Sequence, residues 1–354
     1  MENLKILPLI KAVIDNKASD LHLNSGDYPS IRLDGSLKKI NYPVLSSQDI
    51  EELCAPMLSD KQLQKLNENG EVDGMFEFAS LSRFRFNIYK TLGNYSAALR
   101  PIPTTTPTLE EINAPEIFTN LTKLHRGLVL VTGPTGSGKS TTLASMINEI
   151  NRNYYKHIVT IEDPVEFLHK PNKSTISHRE VETDTKNFTT GLKYVLRQDP
   201  DVILIGEMRD SETIAAALTA AETGHLVFAT LHTNSAPKSI NRIIDSFDAA
   251  EQNQIRAMLA SSLQAVISQS LIPKIGGGRV AAWEIMLNND AVANLIRESK
   301  VHQIYSTMQL GQESSGMQTQ TKNLVNLVNQ GIIEADDAID YAYYQDELKR
   351  QLNL

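Results

Sequence analysis

The run Gly133-Pro134-Thr135-Gly136-Ser137-Gly138-Lys139-Ser140 constrains this chain more than any other feature. An apolar stretch at residues 127–131 precedes it and reads as a strand. Residues 141–150 follow, with Leu143, Met146, Ile147 and Ile150 at helical spacing. A G-x-x-x-x-G-K-[ST] loop between a strand and a helix is a cradle for nucleotide phosphates. Its glycines let backbone amides turn inward, and the helix N-terminus adds partial positive charge. In such a loop Lys139 reaches the β- and γ-phosphates, and the Ser140 hydroxyl is a Mg²⁺ ligand. Thr141, next in the helix, and Arg209 belong with the expected nucleotide-binding residues.

Other short apolar runs recur at residues 158–161, 202–205 and 226–229, with amphipathic stretches between them. Continuous apolar strands alternating with helices indicate an α/β fold with a parallel sheet buried on both faces. Ligands of such sheets sit at the carboxyl ends of the strands. There the runs lead into Glu162-Asp163, Glu207-Met208-Arg209-Asp210 and His232-Thr233-Asn234. An acid at a strand end holds Mg²⁺ or its water, or positions the attacking water. Glu207 fits the metal side, with Asp163 a second metal candidate, and Glu162 fits the general base. The alternative for each acid is a cap on the following helix. His232 and His225 are candidates to sense the γ-phosphate; the alternative is a loop histidine tied to backbone.

The first hundred residues read as mixed α/β. Residues 4–13 and 47–66 have helical periodicity, and Asp20-Leu21-His22-Leu23 and Ser30-Ile31-Arg32-Leu33 read as short strands before an Asp34-Gly35 turn. Arg83-Phe84-Arg85-Phe86-Asn87-Ile88-Tyr89 alternates strictly, and a Gly93-Asn94 turn with a strand ending at Arg100 completes a hairpin. Arg83 and Arg85 therefore point to one face, opposite Phe84 and Phe86. An arginine pair on a rigid strand can neutralise charge on a transferring phosphoryl group; the plain alternative is a solvated strand face. The proline-dense stretch from Pro101 marks a linker. The expected organisation is an N-terminal domain at 1–100, a linker at 101–113, and a nucleotide-binding domain at 114–354 whose C-terminal part, from about residue 290, is helical.

The chain has 354 residues, 41% of them hydrophobic, which suits two domains with a large core. A formal net charge of -8 argues against broad nucleic-acid binding. The single cysteine, Cys54, excludes an internal disulfide and a cysteine-only metal site, fits a reducing, cytoplasmic setting, and is expected to be buried. The N-terminus shows no signal-peptide pattern, and no segment approaches the roughly 18 apolar residues of a membrane span. Membrane association is therefore expected only through a partner protein.

Taken together, these motifs resemble the type II/IV secretion ATPases, and most of all the PilT-like retraction ATPases of type IV pili. Lys17-Ala18-Ser19-Asp20-Leu21-His22-Leu23 is similar to the family's N-terminal signature, and the phosphate cradle to its Walker A motif. Thr160-Ile161-Glu162-Asp163-Pro164-Val165-Glu166 resembles its Asp box, Gly206 to Asp210 its Walker B region, and Thr230 to Asn234 its His box. Gly316-Met317-Gln318-Thr319 resembles a tail signature. The resemblance implies a PAS-like N-terminal domain and a RecA-like ATPase domain in a homohexamer that uses ATP and Mg²⁺. It implies that Glu162 activates water, that Glu207 acts on the Mg²⁺ side, and that Arg83, Arg85 and Arg100 are arginine fingers. The implied task is to move an inner-membrane, PilC-like platform protein from the cytoplasmic side, depolymerising pilin for twitching motility and DNA uptake. A PilU-like accessory paralogue is a possible associate, and a PilU-like role is the alternative within the class. A non-hydrolysing nucleotide-bound scaffold is the alternative outside it. The sequence departs from the family at Ala293, where an arginine is usual, and at Gln320-Thr321-Lys322.

Overall fold

The computed structural model describes residues 4–33, 36–78, 82–103, 105–312 and 315–354. The chain forms two compact units, Met1–Thr105 and Thr106–Leu354. The turn expected at Asp34-Gly35 and linker residue Thr104 lie outside the described residues. Among the described residues, no helix is long and apolar enough to cross a membrane.

The first unit runs α1 (Leu7–Asp15), β1 (Asp20–Asn24), β2 (Ser30–Leu33), β3 (Ser36–Lys39), α2 (Ser47–Cys54), α3 (Asp60–Asn69), β4 (Glu71–Phe78), β5 (Ser82–Thr91) and β6 (Asn94–Ile102). Its six strands form one antiparallel sheet in the order β3-β2-β1-β6-β5-β4. The helix expected over 47–66 is two helices. Pro56 lies in a 3-10 turn after α2, and Ser59 starts α3 with a capping box, its side chain and that of Gln62 each accepting the other's backbone N–H. The hairpin turn is Leu92-Gly93 rather than Gly93-Asn94. Both residues have positive φ, as a two-residue turn between twisted strands demands, and Asn94 already opens β6. β6 also continues through Pro101. Beyond Leu99 it pairs only with β5, so the missing proline N–H interrupts no second ladder. Cys54 is buried, and burial pushes its thiol up to about 12.

The second unit begins with α4 (Glu116–Thr122), β7 (Gly127–Thr132), α5 (Lys139–Asn153), β8 (His157–Glu162), β9 (Thr175–Glu180), α6 (Phe188–Val195) and β10 (Val202–Ile205). Then come α7 (Ser211–Glu222), β11 (Leu226–Leu231), α8 (Ala236–Ile244), α9 (Gln252–Ser262), β12 (Leu263–Pro273) and β13 (Arg279–Leu287). Five helices close the chain: α10 (Asp290–Arg297), α11 (Ile304–Gly311), α12 (Gln320–Asn329), α13 (Ala335–Tyr341) and α14 (Gln345–Leu352). The seven-stranded sheet has the order β13-β12-β7-β11-β10-β8-β9, parallel except for β13 at its edge. One core cluster draws on helices α6 to α11 and another on α4 and α5, so the sheet is covered on both faces. Ala293 is buried on α10 beside Val292 and Ile296. Thr132 pairs with Leu231, Ala229 with Ile205, and Ile205 with Ile161. Four carboxyl ends therefore stand level along one edge of the sheet.

Candidate active site

The phosphate cradle leaves β7 at that level edge. Gly133 has a φ of 148°, and a Cβ there would stand 2.3 Å from the Gln269 carbonyl oxygen, so only glycine fits between the loop and β12. Gly138, with a φ of 88°, caps α5 and offers it no side-chain hydrogen bond. By contrast, α6, α7, α8, α10 and α12 are capped by Asn187, Asp210, Ser235, Asn289 and Thr319. Helices α1, α4, α9, α11, α13 and α14 also lack a side-chain cap; what suits the start of α5 to an anion is the positive-φ glycine loop that leads into it.

Lys139 is buried, and its Nζ donates to the carbonyls of Gly133 at 2.9 Å and Pro134 at 3.0 Å. Burial lowers its pKa, while the charges of Glu207 and Glu166 pull it back up. The ammonium is therefore drawn over the loop where phosphate oxygens would lie, under the charges of Glu207 after β10 and Glu166 in the loop that follows β8. Pro134, Thr135 and Gly136 are exposed at the loop crest, and Ser140 and Thr141 are half-buried at the start of α5.

Glu207 follows β10 and is held from two sides. Arg209 contacts one carboxylate oxygen at 2.8 Å and His232 Nε2 contacts the other at 3.1 Å. Burial pushes the Glu207 carboxyl up, but the Arg209 hydrogen bond and the His232 charge outweigh it, leaving it below the usual range. Glu162 ends β8 with its side chain mostly buried, and Asp163 beside it is exposed. Among the described residues, no three His, Cys, Asp or Glu side chains form a metal cage. That donor set suits Mg²⁺, which needs one or two protein oxygens and takes its remaining ligands from phosphate and water.

Among the expected site residues of this unit, His225 does not join the group. His225 precedes β11, and its carbonyl accepts from Gly127 N–H at the opposite edge of the sheet. About 20 Å of strand separates it from His232. Its backbone N–H and Nδ1 both meet the Ala220 carbonyl, so it is a loop histidine tied to backbone.

Two contributors were missed. Gln269 of β12 is buried; its Nε2 donates to the Ser137 carbonyl at 2.6 Å and its Oε1 accepts from Thr142 at 2.8 Å. It clamps the cradle to the first turn of α5. The signal was present: Ser268-Gln269-Ser270 interrupts the apolar run from Ala265 to Ile272. The second is His178 of β9, which lies 3.8 Å from Glu162 Oε1 and has no comparable local signal.

In the first unit, Arg85 stands directly opposite Arg100, and Arg83 is two residues from Arg85, so the three arginines share one sheet face. Arg100 is engaged by Asp20, at 2.9 Å from Nε and 2.8 Å from the guanidinium terminus.

Comparison with known proteins agrees with this arrangement. The model of the family described as "Type II/IV secretion system protein" matches residues 3–277. The chain is 51% identical to the type IV pilus retraction ATPase PilT of Pseudomonas aeruginosa over 92% of its own length and 94% of that protein's. It is 38% identical to the type IV pilus ATPase PilU of the same organism, over 98% and 91% of the two lengths. A solved structure of the pilus retraction motor PilT with bound ADP superposes with a TM-score of 0.93 at 48% identity, covering 98% of this chain and all of that one. The phosphate cradle, the level strand ends and these likenesses place the chain in the type II/IV secretion system protein family.

Proposed function

We propose that this chain is an ATP-hydrolysing motor that drives retraction of a type IV pilus, and with it twitching motility and DNA uptake. The observation that carries the reading is the convergence at one sheet edge of the uncapped α5 N-terminus, Lys139, Glu207 and Glu162. The N–H groups of the cradle receive the phosphates, and Lys139 exchanges its carbonyl partners for phosphate oxygens. Glu162 takes the proton of the attacking water. Arg209 and His232 fix the Glu207 carboxylate toward the metal side, with Asp163 as a further acid there. Ser140 and Glu207 would hold Mg²⁺, which would supply charge neutralisation on the phosphate oxygens.

The acceptor of the arginine face is a nucleotide bound by a neighbouring copy in a homohexamer. Arg83, Arg85 and Arg100 bring three guanidinium groups to one sheet face, where Asp20 already pairs with Arg100, and a face of that charge suits a polyphosphate. Arg83, Arg85 and Arg100 are read as the fingers that finish the site. The motor acts from the cytoplasm, peripheral to the inner membrane, on a PilC-like platform protein and beside a PilU-like paralogue; nucleic acid is not a direct partner. A driving rather than an accessory role is favoured by 51% identity to PilT against 38% to PilU.

The test is phosphate release by wild type, Glu162→Gln and Glu207→Gln, with ADP binding measured alongside. We expect Glu162→Gln to lose about 10²-fold or more in turnover while still binding nucleotide. Wild-type turnover in Glu162→Gln sinks the mechanism. In the native host, deletion should leave hyperpiliated cells that do not twitch. Bald cells would overturn the retraction reading, and persistent twitching would point to the accessory role.

A further inference from the structure

His178 lies in β9 directly opposite Thr160 of β8. Its two ring nitrogens meet different partners. The backbone N–H of His169 donates to Nε2 at 3.1 Å. A nitrogen receiving an N–H must be an acceptor, so this bond assigns the ring proton to Nδ1. That Nδ1–H donates to the Thr160 hydroxyl at 3.0 Å, and Glu162 Oε1 stands 3.8 Å from the same nitrogen. Thr160 and Glu162 are two apart on β8 and share a face, so the N–H is aimed between them. The His178 and Glu162 side chains are only 16% and 13% exposed, so little water competes.

With Nε2 taken by the His169 N–H, the ring presents a single N–H, on Nδ1, toward β8. His169 stacks on His178, with ring centres 5.7 Å apart and planes at 13°. Burial, helped by the neighbouring His178 ring, pushes His169 down to about 4, so it adds no positive charge to the stack near pH 7. A neutral N–H is suited to serve a base. A cation at this place would favour the ionised carboxylate and weaken its pull on a proton, whereas a neutral dipole orients the carboxylate and leaves it basic.

We infer that His178 is a positioning residue for Glu162, its Nδ1–H, fixed by the His169 amide, steering the carboxylate that receives the water proton. The inference rests on the reading of Glu162 as the general base. The 3.8 Å separation is longer than a hydrogen bond, as contacts to catalytic groups often are before substrate tightens them.

The test uses the full chain with His178→Leu, His178→Asn, Glu162→Gln and the double variant Glu162→Gln/His178→Leu. His178→Leu should lower kcat about 10-fold or more, the usual effect of losing a partner that orients a functional side chain. KM for ATP and affinity for ADP should stay within about 2-fold of wild type, because the cradle is untouched. His178→Asn keeps a side-chain N–H near the Nδ1 position and should recover kcat to within about 3-fold. In the Glu162→Gln background, His178→Leu should cost nothing further. An inactive Glu162→Gln with a fully active His178→Leu overturns this inference and leaves the base intact. A fully active Glu162→Gln overturns the base reading instead. If His178→Leu raises KM, or Asn fails to rescue it, the role is structural and the inference falls.

Discussion

Glu284 of β13 is fully buried, and its carboxylate meets the starts of two helices. Its Oε1 accepts from Ala236 N–H, the first residue of α8, at 2.7 Å. The N–H of Gln320, which opens α12, also favours the charge, yet Oε2 completes no hydrogen bond among the described residues. Burial outweighs these amides and the Lys238 charge, and pushes the carboxyl up to about 7 from its ordinary 4.5. Tyr305, Tyr343 and Tyr344 feel the Glu284 charge as well; their own pKa values are raised, so near pH 7 they remain neutral. A raised folded-state pKa means the folded chain holds the proton longer than the unfolded chain. The stabilising effect is therefore complete below about 4.5 and is lost as pH rises through about 7. Each pH unit of that displacement is about 1.4 kcal/mol, so ionising Glu284 costs the fold about 3 kcal/mol. Glu284→Gln keeps the acceptor for Ala236 and cannot ionise. Relative to wild type, it should gain about 2–3 kcal/mol between pH 5 and pH 8. Trp283, the only tryptophan and the adjacent residue of β13, reports urea unfolding of this unit. The new amide also brings donors to a buried place, which shifts the whole curve but not its slope. A difference between the two proteins that stays flat from pH 5 to pH 8 refutes the reasoning.

Two more predictions concern residues that hold loops and faces in place. Gln269→Leu removes both bonds of the cradle clamp and leaves the Ser137 carbonyl and Thr142 hydroxyl without it; unfolding should show a loss of about 1–3 kcal/mol, and calorimetry should show weaker ADP binding. Arg100→Ala takes the nearest cation from Asp20 and leaves it Ser19 and the more distant Arg32; burial raises this carboxyl, but Ser19 and Arg100 hold it below its ordinary 3.8 overall. A lowered folded-state pKa stabilises above 3.8 and is lost below it, so the variant should lose about 1 kcal/mol at pH 7 and converge with wild type in acid; an equal loss at both pH values would refute the pairing.

The sequence by itself determined the chemistry of the cradle and the class of sheet that carries it. Gly133, Gly138 and Lys139 are legible because a phosphate loop is local: one strand, one turn and one helix start contain it. The acids Glu162 and Glu207 are legible because each ends an apolar run that can only be a buried strand. The alternation at Arg83 to Phe86 likewise sets their faces without help from the rest of the chain. Tertiary structure decided whatever depends on which strands are neighbours. α9 passes into β12 at Leu263 with no glycine or proline between them, so nothing local marks the change of period, and the β12–β13 edge was not anticipated. Gln269 reaches the site only because β12 lies against β7, a pairing made across a long stretch of chain, and His178 because β9 takes the edge position beside β8. His225 stands at the opposite edge for a simpler reason: it precedes β11 and His232 follows it, so the length of one strand separates them. Strand identity follows from the periodicity of nearby residues, whereas strand order follows from how two faces of helices bury one sheet, and that packing settles which side chains meet.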